Sequence, residues 1–207
     1  MKCLFKKVFS IEGNIGAGKS TLLSLLEKNF PEATILNEPL LDWKNVGGED
    51  LLKCFYKDPK RWCFTFELYS MMTKIKRLKT ALQSDAEIIF MERSLYSDRA
   101  FHHVGYFLDK LDTKEASILQ EIYDEYMKDY PLLNGVIYVH TPYEVCWERI
   151  KKRGRKEEQG INLDYLKRLE NQFIATNYGC TMVSIDGVYD LKSPSHILDS
   201  IKKFIKK

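Results

Sequence analysis

The chain reads as an α/β protein, a parallel sheet covered by helices on both faces, and three observations predict it. Short apolar segments at residues 7–12, 33–37, 87–92, 136–140 and 182–185 alternate with stretches of helical periodicity, which implies parallel strands joined by crossover helices. The first segment, KVFSIE, runs directly into a glycine-rich turn followed by a helix. The 207 residues, 44% of them hydrophobic, suffice for one substantial core, and neither an internal repeat nor an interdomain linker interrupts them.

Each element has its own signal. Leucines recur at helical spacing from Lys19 to Asn29. The run Ala33 to Asn37 ends at Glu38-Pro39, where proline opposes continuation of a central strand or a helix. Beyond Pro59 there is no Gly or Pro up to Gln83, and Trp62, Phe66, Tyr69, Ile75 and Leu78 predict a long buried helix. EIIFME at 87–92 predicts an inner strand, followed by a helical hairpin over Ser94–Leu108 and Thr113–Tyr130 and a strand at Val136–His140. In Thr141-Pro142-Tyr143-Glu144 the expected helix start has Thr141 as cap, proline first and glutamate three after the cap. Lys151 to Gly160, KKRGRKEEQG, reads as a mobile polar loop. A strand near Met182–Ile185 and a lysine-rich helix from Ser193 close the pattern.

Composition excludes several function classes. A net charge of +3, from 32 basic and 29 acidic residues, is no footprint for nucleic acid, while a small phosphate-bearing ligand needs only a few local charges. No apolar run reaches the roughly 18–20 residues of a membrane helix, and the first strand starts too near Met1 for a signal or transit peptide, so a cytoplasmic protein is expected. Cys3, Cys54, Cys63, Cys146 and Cys180 are odd in number and form no CxxC pair, as reduced thiols would.

Gly13-Asn14-Ile15-Gly16-Ala17-Gly18-Lys19-Ser20 satisfies G-x-x-x-x-G-K-[ST] between a strand and a helix. Its backbone N–H groups would close around phosphate oxygens, Lys19 would reach the terminal phosphates, and Ser20 would ligate magnesium. Thr21 and Asp186 complete the donor-binding set. Glu38, at a strand end, is placed to take a proton from an acceptor hydroxyl. Glu92-Arg93-Ser94 sets a carboxylate for magnesium beside a guanidinium for developing charge. Arg149, Arg153 and Arg155 enter the polar insert with Glu157 and Glu158 beyond, as in a lid that closes over a triphosphate.

EGNIGAGKST, EPLLDW, YKDPKRWCFTFE, ERSLYSDR and RGRKEEQG, in this order between residues 11 and about 166, resemble the deoxynucleoside kinases of the deoxycytidine, deoxyguanosine and insect multisubstrate group. The resemblance implies a P-loop NTPase-type three-layer fold, with a five-stranded parallel sheet flanked by helices and a short Arg-rich lid at 151–160. It implies one kinase domain over 1–207, and a homodimer that uses ATP and Mg2+ to phosphorylate a small-molecule deoxynucleoside at its 5'-hydroxyl. Glu38 would be the base, Arg93 would hold it in register, and Lys19 and Arg153 would stabilise the transferred group. Ser20 and Glu92 would hold the metal, and Tyr56 and Glu158 the sugar 3'-hydroxyl. Of the α-helical aromatics Trp62 and Phe66, either of which suits stacking on a base or packing in the core, Phe66 is taken as the site residue.

The base-reading positions depart from the family pattern. Glu67 stands where glutamine is usual, and a carboxylate only accepts hydrogen bonds, which suits the N1–H and 2-amino donors of guanine. Lys74 replaces arginine opposite Asp98, and it lies seven residues from Glu67, so a Glu67–Lys74 ion pair is one reading. His102 stands where relatives stack phenylalanine, with a surface or packing role open beside that one. The expected preference is deoxyguanosine, with deoxycytidine and deoxyadenosine as further substrates and thymidine weaker. The competing readings are a nucleoside monophosphate kinase and a non-catalytic nucleotide-binding regulator.

Overall fold

The computed structural model describes residues 6–188 and 194–206, so Cys3 and Ser193 lie outside the described residues. Strands β1 (Lys7–Glu12), β2 (Thr34–Leu36), β3 (Ile88–Glu92), β4 (Gly135–His140) and β5 (Met182–Asp186) form one sheet in the order β2-β3-β1-β4-β5. All four pairings are parallel, as the alternation of strand and helix requires. The register sets Ile11 of β1 beside Glu92 of β3 and Ile137 of β4, so three carboxyl ends meet at one edge.

A central parallel strand is buried on both faces, and in β1 every residue from Val8 to Glu12 is buried. Helix α1 (Lys19–Asn29) lays Leu22, Leu23 and Leu26 onto the sheet, where they join Phe9, Phe90 and Ile137 in the main core. A second cluster lies under the acceptor side, where Trp43, Leu52, Phe55, Phe66 and Met71 pack together. Among the described residues no helix is long and apolar enough to cross a membrane.

Two short helices lie between β2 and the long helix: α2 (Leu40–Trp43) and α3 (Leu51–Lys57), the latter capped by the Asp50 carboxylate. They fall below the length that apolar periodicity resolves. The long helix α4 spans Pro59–Leu82, with Asp58 capping it and proline in its first turn. Its buried stripe is partly polar, carrying Glu67, Ser70, Thr73 and Lys74. Helices α5 (Leu95–Phe107) and α6 (Thr113–Lys128) form the expected hairpin, α6 opening with an Asp112/Glu115 capping box.

Two expectations fail here. Helix α7 (Tyr143–Arg153) starts after Pro142, and Thr141 does not cap it; the Thr141 hydroxyl donates instead to the Ala17 carbonyl at 2.9 Å. The polar insert is not a plain loop either. Helix α7 runs through Arg153, stops at Gly154 in left-handed backbone (φ 65), and passes through a 3-10 turn at Lys156–Glu158 into α8 (Leu163–Ala175). That turn is pinned by Arg153 and Arg155 on Glu158 and by Lys44 on Glu157. Helix α9 (Pro194–Ile205) closes the core with Ile197 and Ile201.

Candidate active site

The turn after β1 is tight enough to need its glycines. A Cβ on Gly13 (φ 139) would stand 2.5 Å from the Val139 carbonyl oxygen, and one on Gly16 (φ 80) would stand 2.7 Å from that of Cys146. Asn14 fastens the loop from beneath, its amide donating to the Leu166 carbonyl and its side-chain oxygen accepting from Ile15 N–H, both at 2.8 Å. The Ala17 carbonyl takes Thr141 and also Arg149, whose guanidinium bonds the Gly187 carbonyl at 2.8 Å as well. Arg149 therefore braces the backbone of the phosphate loop and the turn after β5 while lining the cavity at the donor side.

Lys19 lies at the focus of this loop. Its ammonium donates to the Asn14 carbonyl at 2.8 Å and stands 3.8 Å from Glu92. Burial and the nearby Arg93 charge, only partly offset by Glu92 and Glu38, lower its pKa to about 8. Ser20 donates to Glu92 at 3.1 Å. A hydroxyl and a carboxylate side by side are the oxygen donors magnesium accepts, and they fit such an ion completed by phosphate oxygens and water. Among the described residues no three His, Cys, Asp or Glu side chains converge as a protein-only metal site.

Across the cleft, Arg93 is 2% exposed; its Nε stands 3.1 Å from Glu38 Oε1, and its Nη1 donates to the Gly13 carbonyl at 3.0 Å. Burial pushes Glu38 up, but Arg93, Lys74, Lys19 and Arg155 together outweigh it and hold the carboxyl below its ordinary value. Burial, with Glu158 and Glu38 nearby, pushes the Tyr56 phenol well up, so it stays a neutral donor. Glu158 is itself buried and takes Arg153 at 2.6 Å and Arg155 at 3.3 Å.

At the far end, Lys74 pairs with Asp98 at 2.6 Å, and Ser70 donates to the same Asp98 oxygen at 2.9 Å. Among the described residues the other Asp98 oxygen, also buried, has no hydrogen-bond partner. The Glu67–Lys74 ion pair does not form. Lys74 is taken up by Asp98 of α5 instead, and Glu67 also faces α5. Glu67 Oε2 faces His102 Nε2 at 3.4 Å; His102 is 5% exposed, which excludes a surface role for it. Phe66 stacks on Phe55 at 4.8 Å and meets Trp43 edge-on.

One cavity of about 710 Å³ joins these parts, within the size range of small-molecule sites. It brings together Ile15, Gly16, Gly18, Lys19, Ser20, Thr21, Glu38, Tyr56, Phe66, Glu67, Lys74, Glu92, Arg93, Asp98, Arg149, Arg153, Arg155 and Glu158. Gly13, Asn14 and Ala17 stand behind the loop rather than in its wall. Asp186 is exposed and accepts from Val188 N–H, and the wall there is made by Gly187 and Val188. Trp43, Ser70, Phe101 and Tyr165 also line the cavity. Sequence reasoning weighed Phe101 as a stacking substitute beside His102 but missed Trp43, Ser70 and Tyr165, although Trp43 lies in EPLLDW.

A phosphate loop after the central strand of a parallel sheet, opening onto a cavity with a paired carboxylate and guanidinium, defines a P-loop kinase that phosphorylates a small acceptor. The chain belongs to the deoxynucleoside kinase family, whose model matches residues 9–206. It is 34% identical to deoxycytidine kinase 2 of Gallus gallus, with 95% of this chain and 89% of the relative aligned. It is 35% identical to the mitochondrial deoxyguanosine kinase of Xenopus laevis (80% and 71% aligned) and 37% identical to the deoxycytidine kinase of Bos taurus (79% and 72%). The chain is thus an ATP-dependent deoxynucleoside kinase.

Proposed function

We propose that this kinase transfers the γ-phosphate of ATP to the 5'-hydroxyl of deoxyguanosine first, of deoxycytidine and deoxyadenosine next, and of thymidine least, in nucleotide salvage. The observation that carries this reading is the buried polar wall at the far end of the cavity, Glu67 with Lys74 and Asp98. An ionised Glu67 accepts from N1–H and the 2-amino group of guanine. Lys74 has three donors and gives one to Asp98, leaving donors for O6. The buried Asp98 oxygen that has no hydrogen-bond partner among the described residues suits the exocyclic amine of adenine or cytosine.

In the proposed mechanism Glu38, held ionised by Arg93, takes the 5'-hydroxyl proton while the nucleophile is aligned in line with the γ-phosphoryl group. Lys19 and Arg153 stabilise the charge that spreads over the transferred oxygens, and the phosphate loop cradles the donor. Tyr56 and Glu158 hold the 3'-hydroxyl. Ser20 and Glu92 would hold Mg2+, which would supply charge neutralisation for the donor. Arg149 serves the donor through the carbonyls it braces.

The chain is read as one kinase domain with its lid at 151–160, working in the cytoplasm as a homodimer. The test is incubation with Mg-ATP and each of the four deoxynucleosides and their monophosphates, with products separated by chromatography. Monophosphates made from nucleosides, deoxyguanosine leading, are expected. Turnover of monophosphates alone, or thymidine leading, overturns the reading.

A further inference from the structure

Glu12, the last residue of β1, is a fully buried carboxylate that the mechanism above does not use. Burying a carboxylate is costly unless every oxygen is satisfied, and here the satisfaction comes from three serines. Oε1 accepts from the Ser94 backbone N–H at 2.8 Å, from the Ser94 hydroxyl at 2.6 Å and from the Ser10 hydroxyl. Oε2 accepts from the Ser97 hydroxyl. Ser94 and Ser97 open α5, yet the Ser94 side chain does not cap that helix; it turns back to Glu12.

These bonds surround Arg93. Its backbone is left-handed (φ 63), a conformation strained for a non-glycine residue that persists only where neighbours impose it. The Arg93 N–H donates to the Ile11 carbonyl at 3.1 Å and its guanidinium to the Gly13 carbonyl at 3.0 Å. Glu12 sits between those two acceptors in the chain and holds the residue after Arg93. The backbone on both sides of the arginine is thereby tied to the strand that launches the phosphate loop.

We propose that Glu12 is a positioning residue for phosphoryl transfer: its carboxylate clamps Ser94 and Ser97 so that Arg93 keeps the left-handed turn that aims its guanidinium at Glu38. Through this clamp, Arg93 stays in register with both the acceptor base and the phosphate loop. The proposal rests on the reading of Glu38 as base with Arg93 as its partner. Arg93, Lys74, Lys19 and Arg155 are the charges that act on Glu38, and Arg93 is the strongest of them. A loosened Arg93 therefore lets the Glu38 carboxyl rise.

The test compares Glu12→Ala, Glu12→Gln and Ser97→Ala with the parent. The readouts are kcat and KM for deoxyguanosine, the acidic limb of kcat/KM against pH, and the melting temperature. In Glu12→Ala, kcat is expected to fall about 10- to 100-fold, the cost of a small misplacement, with KM nearly unchanged and the acidic limb moved to higher pH. Glu12→Gln keeps an acceptor for the Ser94 N–H and is expected to recover most of the loss. Ser97→Ala is expected to move the limb the same way, and it carries the test if Glu12→Ala does not fold. A lowered melting temperature with parental kcat and a parental acidic limb overturns the proposal. Glu38→Gln, run in parallel, separates the two readings: if it is inactive while the Glu12 and Ser97 variants behave as the parent, only the clamp is wrong. If Glu38→Gln turns over normally, the base assignment beneath the clamp falls.

Discussion

Lys19 gives the most direct quantitative test of the donor site, because it titrates where activity is easily measured. A lysine in water keeps its proton to about pH 10.4, but burial and the Arg93 charge lower the Lys19 value to about 8. The triphosphate needs the charged form, so apparent affinity scales with the protonated fraction of the free enzyme. With a pKa of about 8 that fraction falls from roughly 0.9 at pH 7 to roughly 0.1 at pH 9. The dissociation constant for Mg-ATP is therefore expected to rise about tenfold across this interval. The assay is equilibrium titration of Mg-ATP at pH 7, 8 and 9, with Lys19→Met as the reference that carries any ionisation of the nucleotide itself. A parent whose affinity follows the reference from pH 7 to 9 refutes the depressed lysine. Stability has the opposite sign: between pH 8 and 10.5 the unfolded chain binds the extra proton, so Lys19 makes the free protein more stable as pH rises through that range.

Glu38→Gln removes the proposed base while preserving shape; kcat is expected to fall about 10²- to 10⁴-fold with little change in deoxyguanosine affinity, and steady-state kinetics beside equilibrium binding check it. Lys74→Met strands the buried Asp98 carboxylate, which costs about 3–5 kcal/mol. At about 2–4 °C per kcal/mol for a chain of this size, the melting temperature should drop by on the order of 10 °C in differential scanning fluorimetry; an unchanged value would mean the pair is solvated. Glu67→Gln restores a donor to the base-reading position and should move preference from deoxyguanosine toward deoxycytidine, read as the ratio of their kcat/KM values. An unaltered ranking removes Glu67 from specificity.

Much of this protein is legible locally. A glycine turn between a strand and a helix is a motif of eight consecutive residues, and apolar periodicity marks β1, α1, α4 and the α5–α6 hairpin because burial of one face repeats along a single segment. Glu38, Glu92 and Arg93 follow from the same logic, since the carboxyl ends of parallel strands gather at one edge. The neighbour of Glu67 was not legible. Asp98 was expected opposite Lys74 and stands there, but Glu67, on the same buried face of α4, meets His102 of α5 rather than Lys74, a choice that helix packing made and spacing could not. Thr141 and Arg149 carry the sequence signals of a helix cap and a lid, yet both serve the Ala17 carbonyl more than a hundred residues earlier in the chain. The insert at 151–160 has a loop's composition and is ordered by ion pairs, two of them within it and one to Lys44. Local sequence determined which elements form and which edge of the sheet bears the chemistry, because periodicity and turn geometry act over a few residues. Tertiary structure alone decided which buried polar group satisfies which, because desolvated charges must find partners wherever the packed fold brings them.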